Sequence, residues 1–99
     1  MGNGSSRWHL VRFTEELDLW VERAAAPADL VLLILPWIMS RIDDPYRGVR
    51  RAAGFDNLWF GPIPGTDDGS GRVVSCSYWI TETSHSVRCN SFSTLHRPL

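Results

Sequence analysis

From Arg7 to Thr14 the residues alternate, with Trp8, Leu10 and Arg12 on one side and His9, Val11 and Phe13 on the other, the two-residue period of a strand. The period then lengthens. Thr14 is a good N-cap, Glu15 and Glu16 sit where a helix dipole favours acids, and Leu17, Trp20, Val21 and Ala24 recur at helical spacing up to about Ala25. Pro27 suits the first turn of a second helix running from about Ala28 to Ile42. Its expected buried stripe is Leu30, Leu33, Ile34, Trp37, Ile38 and Ile42, and Pro36 should kink it or force a restart. This run is apolar nearly all round, which points to burial on two sides, with a partner chain as the candidate for the second.

Asp43-Asp44-Pro45 ends the helix, because the residue before proline resists the α conformation. A basic connector, YRGVRRAAGF, leads to a second strand from Asn57 to about Ile63, whose two prolines suggest an edge. TDDGSG reads as a hairpin loop. The third strand, Arg72 to Ile80, sets Val74, Cys76, Tyr78 and Ile80 against Val73, Ser75, Ser77 and Trp79. TETSH turns the chain into a fourth strand from Ser86 to about Leu95. The pattern predicts one α+β domain over residues 7–99 in the order β-α-α-β-β-β, after a polar, flexible start over residues 1–6. The sheet is expected to be four-stranded and antiparallel-rich with both helices on one face, and Leu10, Leu17, Trp20, Leu33, Trp37, Val74 and Tyr78 should be mostly buried.

Composition narrows the class. A chain of 99 residues with 43% hydrophobic residues and five tryptophans can hold one packed core. Cys76 and Cys89 have neither zinc spacing nor a secretory context and read as reduced thiols ahead of a disulfide, which their place on neighbouring strands would also allow. No metal-ligand cluster is visible, and no cofactor is expected. No signal peptide is visible; Gly2 with Ser6 fits the short myristoylation pattern, which matches often by chance. The apolar run from Leu30 to Met39 is half the length of a membrane span, so a buried helix is expected and no membrane.

The net charge of −1 hides an asymmetry: residues 1–46 carry four arginines against seven acids, and residues 47–99 carry six arginines against four acids. Every basic residue is arginine, with no lysine. Arginine forks onto phosphate and stacks on bases, although a GC-rich coding bias also yields arginine.

In this order and spacing, three stretches carry a resemblance. IDDPYRGVRRAAGFDNLW, GRVVSCSYWI and VRCNSFSTLHRP resemble the post-helical basic segment, the arginine-led strand and the last strand of the RelE/ParE toxin superfamily. The resemblance covers nearly all of residues 7–98. It implies a RelE/YoeB/HigB-like mRNA interferase of a type II toxin–antitoxin system. Such a toxin acts in the cytoplasm on mRNA at the ribosome and is held by a cognate antitoxin. Cleavage proceeds by attack of the ribose 2′-OH on the adjacent phosphate, without metal. Carried over, Arg72 would contact the scissile phosphate, His96 would be the acid or base, and Arg97 would bind the neighbouring phosphate. Arg50 and Arg51 would hold RNA, and Arg88 joins them if its strand position faces the open side of the sheet. The chain departs from the pattern in its second strand, which lacks the carboxylate or lysines of some interferases, and in having no tyrosine after His96.

Two other function classes remain on the same scaffold: a ParE-like gyrase inhibitor that binds without cutting RNA, and a non-catalytic binding module. The site residues also have plain structural roles. Arg72 can cap the hairpin through Asp67 or Asp68, and His96 can be a fraying terminal residue. His9 and His85 read as a solvent-facing strand residue and a turn residue. Tyr78 reads as core, and Trp59 and Trp79 read as core ahead of a stacking surface for bases. Arg88 shares the parity of Asn90 and Phe92.

Overall fold

The computed structural model describes residues 7–96. The expected N-terminal stretch 1–6 and Arg97 lie outside the described residues. Along the chain run β1 (His9–Val11), α1 (Phe13–Ala24), α2 (Ala28–Ser40), β2 (Arg50–Arg51), β3 (Leu58–Pro62), β4 (Arg72–Thr81) and β5 (Ser86–His96). They form one sheet in the order β1-β5-β4-β3-β2, with β1 parallel to β5 and every other pair antiparallel. The α+β class and the antiparallel-rich sheet stand as expected. The fifth strand is the short Arg50–Arg51 segment, which pairs with the free edge of β3 instead of serving as a connector.

The first strand is shorter than the alternation suggests. Arg12 adopts a left-handed conformation (φ 66°) and turns the chain directly into α1, so Phe13 opens the helix and is only 3% exposed. No side chain caps this end; the Arg12 guanidinium instead pairs with Glu16 at 3.0 Å. Burying Phe13 outweighs the capping preference of Thr14.

Phe13, Leu17 and Trp20 of α1 and Ile34 and Ile38 of α2 join one buried cluster with Val74, Cys76, Tyr78 and Ile80 of β4 and Val87, Cys89 and Phe92 of β5. Both helices therefore pack on one face of the sheet. Leu10 and Trp37 are half-buried against this cluster. Leu33, expected inside, is 49% exposed, because α2 buries only the narrow stripe of Ile34 and Ile38. Leu32 (68% exposed), Leu35 and Met39 also lie outward, and α2 runs through Pro36 as one helix.

Arg41 ties the helices to the sheet. It is 2% exposed, lies over the Trp37 ring at 4.4 Å, and donates to the Arg47 carbonyl at 2.7 Å and the Tyr78 hydroxyl at 3.0 Å. The Tyr78 hydroxyl in turn donates to the Pro45 carbonyl. These bonds hold residues 44–49 across the sheet edge. Gly61 permits the close approach that follows: a Cβ there would sit 2.8 Å from the Gly48 carbonyl oxygen.

Candidate functional site

Strand register decides which side chains meet. On β4, Arg72 stands directly opposite His96 of β5, and Val73 stands opposite Leu95. The tight 66–71 loop fixes where β4 begins. Asp68 accepts from the Ser70 hydroxyl at 2.7 Å and from the Ser70 and Arg72 backbone amides at 2.9 and 3.2 Å. The Ser70 hydrogen bonds, and then the Arg72 amide and charge, hold the Asp68 carboxyl below its usual range. Part of the capping role considered for Arg72 thus falls to its backbone, which leaves its exposed guanidinium at the end of the sheet.

Two clefts flank that end. The larger, about 590 Å³, is lined by Gly48, Val49, Arg50, Phe60, Gly61, Pro62, Val73, Leu95 and His96. Arg50 reaches it because β2 adds to β3 with Arg50 opposite Phe60, a placement that depends on the Gly48–Gly61 approach. The smaller, about 260 Å³, lies on the helix side between Trp20, Leu30 and Thr94 and is lined by Arg72 and Asp68. Val73 borders both.

The structure therefore brings Arg72 and His96 side by side, puts Arg50 in the cleft of His96, and sets Arg72 toward the neighbouring cleft. Arg51 is exposed and opposite Trp59, one position along the edge from Arg50. Arg88 is opposite Trp79 at the other end of the ribbon. Its expected parity with Phe92 is broken by a bulge. Ser77 pairs with Ser91 but Tyr78 pairs with Cys89, so Asn90 is an extra residue on β5. Arg88 consequently faces the open side while Phe92 is 1% exposed in the core.

The two tryptophans read together as core separate here. Trp59 packs against the core cluster, whereas Trp79 lies on the open face with its ring 5.8 Å from that of Phe55 in an edge-to-face pair. His85 stacks on Trp8 at 3.9 Å in the turn before β5, and His9 is an exposed strand residue. Cys76 and Cys89 are free thiols with sulfurs 4.0 Å apart, and burial, then contact with Cys89, pushes the Cys76 thiol well above its usual range. Among the described residues no group of three or more histidine, cysteine, aspartate or glutamate side chains converges as a metal site.

No protein-family model matches the sequence, and no curated protein matches it. The fold does have a counterpart. The solved structure of E. coli toxin RelE, an arginine-to-alanine double variant in the free state, superimposes with a TM-score of 0.60 over 88% of this chain and 82% of that one, at 9% identity. The chain has a RelE-like fold. Within that fold, the β4–β5 register sets Arg72 and His96 at the end of the sheet and the added edge strand β2 sets Arg50 and Arg51 beside β3. None of the helices among the described residues is long and apolar enough to cross a membrane.

Proposed function

We propose that this chain is a RelE-like type II toxin that cleaves mRNA at the ribosome. The observation that carries the reading is the pairing of Arg72 with His96 beside the cleft that Arg50 lines. Arg50 and His96 in one cleft, with Arg72 opposite His96 and lining the neighbouring cleft, suit a phosphodiester at the end of the sheet. In the reaction, the ribose 2′-oxygen attacks the adjacent phosphorus, the bond from phosphorus to the 5′-oxygen breaks, and a 2′,3′-cyclic phosphate and a 5′-hydroxyl remain. Arg72 and Arg50 neutralise the charge that builds on the phosphoryl oxygens. His96 moves a proton to or from the sugar oxygens, since imidazole exchanges protons near neutral pH. Arg51 holds RNA next to Arg50, and Arg97 joins His96 at the neighbouring phosphate. The protein acts in the cytoplasm without a cofactor. Its cognate antitoxin covers the apolar outer side of α2, where Leu32, Leu33, Leu35 and Met39 are exposed.

A binding-only, ParE-like action on gyrase is the second reading. It is favoured by one feature: the cleft lining holds a single histidine and no carboxylate, so one group serves two proton transfers. A translation extract with mRNA integrity and gyrase supercoiling followed in parallel separates the two. Cleaved mRNA with cyclic-phosphate ends, reduced about a hundredfold by Arg72→Ala or His96→Ala, supports cleavage. Intact mRNA with lost supercoiling overturns it in favour of gyrase binding.

A further inference from the structure

The open face of the sheet continues well beyond the rim. Trp79 and Arg88 are direct neighbours across β4 and β5, and Trp79 stands six positions along β4 from Val73, which lines the Arg50–His96 cleft, about 20 Å at strand rise. Between them the face carries the hydroxyls of Ser77, Ser91 and Ser93, while Ser75, opposite Ser93, is 4% exposed and donates to the Gly61 carbonyl at 3.0 Å. The bulge adds Asn90, whose amide Nδ2 donates to Ser77 Oγ at 3.0 Å. Beyond Trp79, Phe55 is 50% exposed and meets the indole edge to face. No strand position that shares this face carries a carboxylate, while Arg50 and Arg88 stand at its two ends.

A half-buried Trp79 with exposed Phe55 at its edge and an arginine beside it, on strand positions without a carboxylate, is chemistry for a single nucleic-acid strand: aromatic faces take bases and arginines take phosphates. We propose that Trp79, with Phe55 behind it and Arg88 beside it, is a base-stacking subsite for single-stranded RNA whose phosphodiester is held in the cleft that Arg50 and His96 line. The subsite rests on the RNA-cleaving reading above and extends it, assigning a binding residue remote from the chemistry. The spacing suits a footprint of several nucleotides, within the roughly 4–16 covered by single-strand-binding grooves. The bulge has a purpose here, because without the extra residue Arg88 would share the parity of Phe92 and point into the core.

The test uses end-labelled 2′-O-methyl RNA, which cannot be cut, as a dinucleotide and an octanucleotide. Anisotropy is read at low salt with parent, Trp79→Phe, Trp79→Leu and Arg88→Gln proteins. The parent should bind the octanucleotide at least tenfold more tightly than the dinucleotide. Trp79→Leu should remove about tenfold of that gain and Trp79→Phe should keep most of it, with equal thermal unfolding of the two variants showing that the loss is not misfolding. An octanucleotide made abasic in the half that Trp79 serves should already lack the gain and lose nothing further on Trp79→Leu. Arg88→Gln should lower the salt dependence by about one phosphate contact. If the parent gains with length but Trp79→Leu matches it, the subsite is wrong and the cleavage reading survives. If the parent shows no gain with length, the open face is not the RNA path and the subsite is again wrong. If the parent binds neither RNA, the RNA reading fails and takes the subsite with it.

Discussion

The two faces of the β4–β5 ribbon come from one alternating sequence and do opposite work. Toward the helices, Val74, Cys76, Tyr78, Ile80, Val87, Cys89 and Phe92 are all at most 4% exposed. Their polar atoms are few and engaged, as in the Tyr78 hydroxyl between Arg41 and Pro45. Away from the helices, Ser77, Ser91, Ser93, Trp79 and Arg88 keep hydroxyls, a ring and a charge at least partly exposed. Along the middle of the ribbon, packing and polar chemistry are thus separated by parity, and neighbouring residues there should report on different properties.

Substitutions test that separation. The largest effect should come from Phe92→Ala, which empties a fully packed site and should cost about 4 kcal/mol in urea unfolding, while adjacent Ser91→Ala should stay within about 0.5 kcal/mol. Equal losses at both positions would end the two-face description. Next, Arg41→Ala should cost about 3 kcal/mol, because it strips a charged hydrogen bond from the Arg47 carbonyl and the stacking on Trp37. Gly61→Ala should cost about 2 kcal/mol, since the new methyl meets the Gly48 carbonyl. The same displacement moves Arg50, so dinucleotide binding should weaken in a variant that still folds; unchanged binding would uncouple Arg50 from the cleft.

The smallest effect at neutral pH concerns the tyrosines. Burial pushes the Tyr78 phenol up to about 12 against the pull of Arg41, and burial with the Glu82 hydrogen bond pushes Tyr46 up to about 12. A raised phenol pKa favours the folded, protonated form, so this contribution is complete below the unfolded value near 10 and disappears as pH climbs toward 12. Tyrosinate absorbance of the Tyr46→Phe variant isolates Tyr78. Ionisation near pH 10 in the folded protein would show that its phenol is not buried with Arg41.

Most of this architecture was legible from periodicity. The alternation over Val73–Ile80 assigned both faces of β4 as the structure has them, and the helical spacing of Leu17 and Trp20 found the buried side of α1. Three features were not legible, each for a local reason. The bulge at Asn90 reverses the parity of β5 partway along, and alternation assumes a constant register. Arg50 and Arg51 form too short a strand to show a period, and it exists because β3 offers an edge and Gly61 admits the chain. The outward turn of Leu33 follows from α2 being apolar on every side, which leaves the sequence no contrast from which to choose the inner face. For the site, the juxtaposition of Arg72 and His96 followed from hairpin geometry, whereas the split between Trp59 and Trp79 needed the strand partners.

The parallel pairing of β1 with β5 has a consequence for how the protein comes into being. The strand beside β1 is the last element in chain order, so His9 waits for Ser86, and Arg72 for His96, until nearly all of the described chain has been made. Contacts this distant in sequence form late and slowly. Until β5 arrives, β4 has a neighbour on one side only, and the apolar surfaces of α1 and α2 have no completed sheet to rest on. A nascent chain still emerging from its ribosome therefore carries an unassembled rim until its last strand is made.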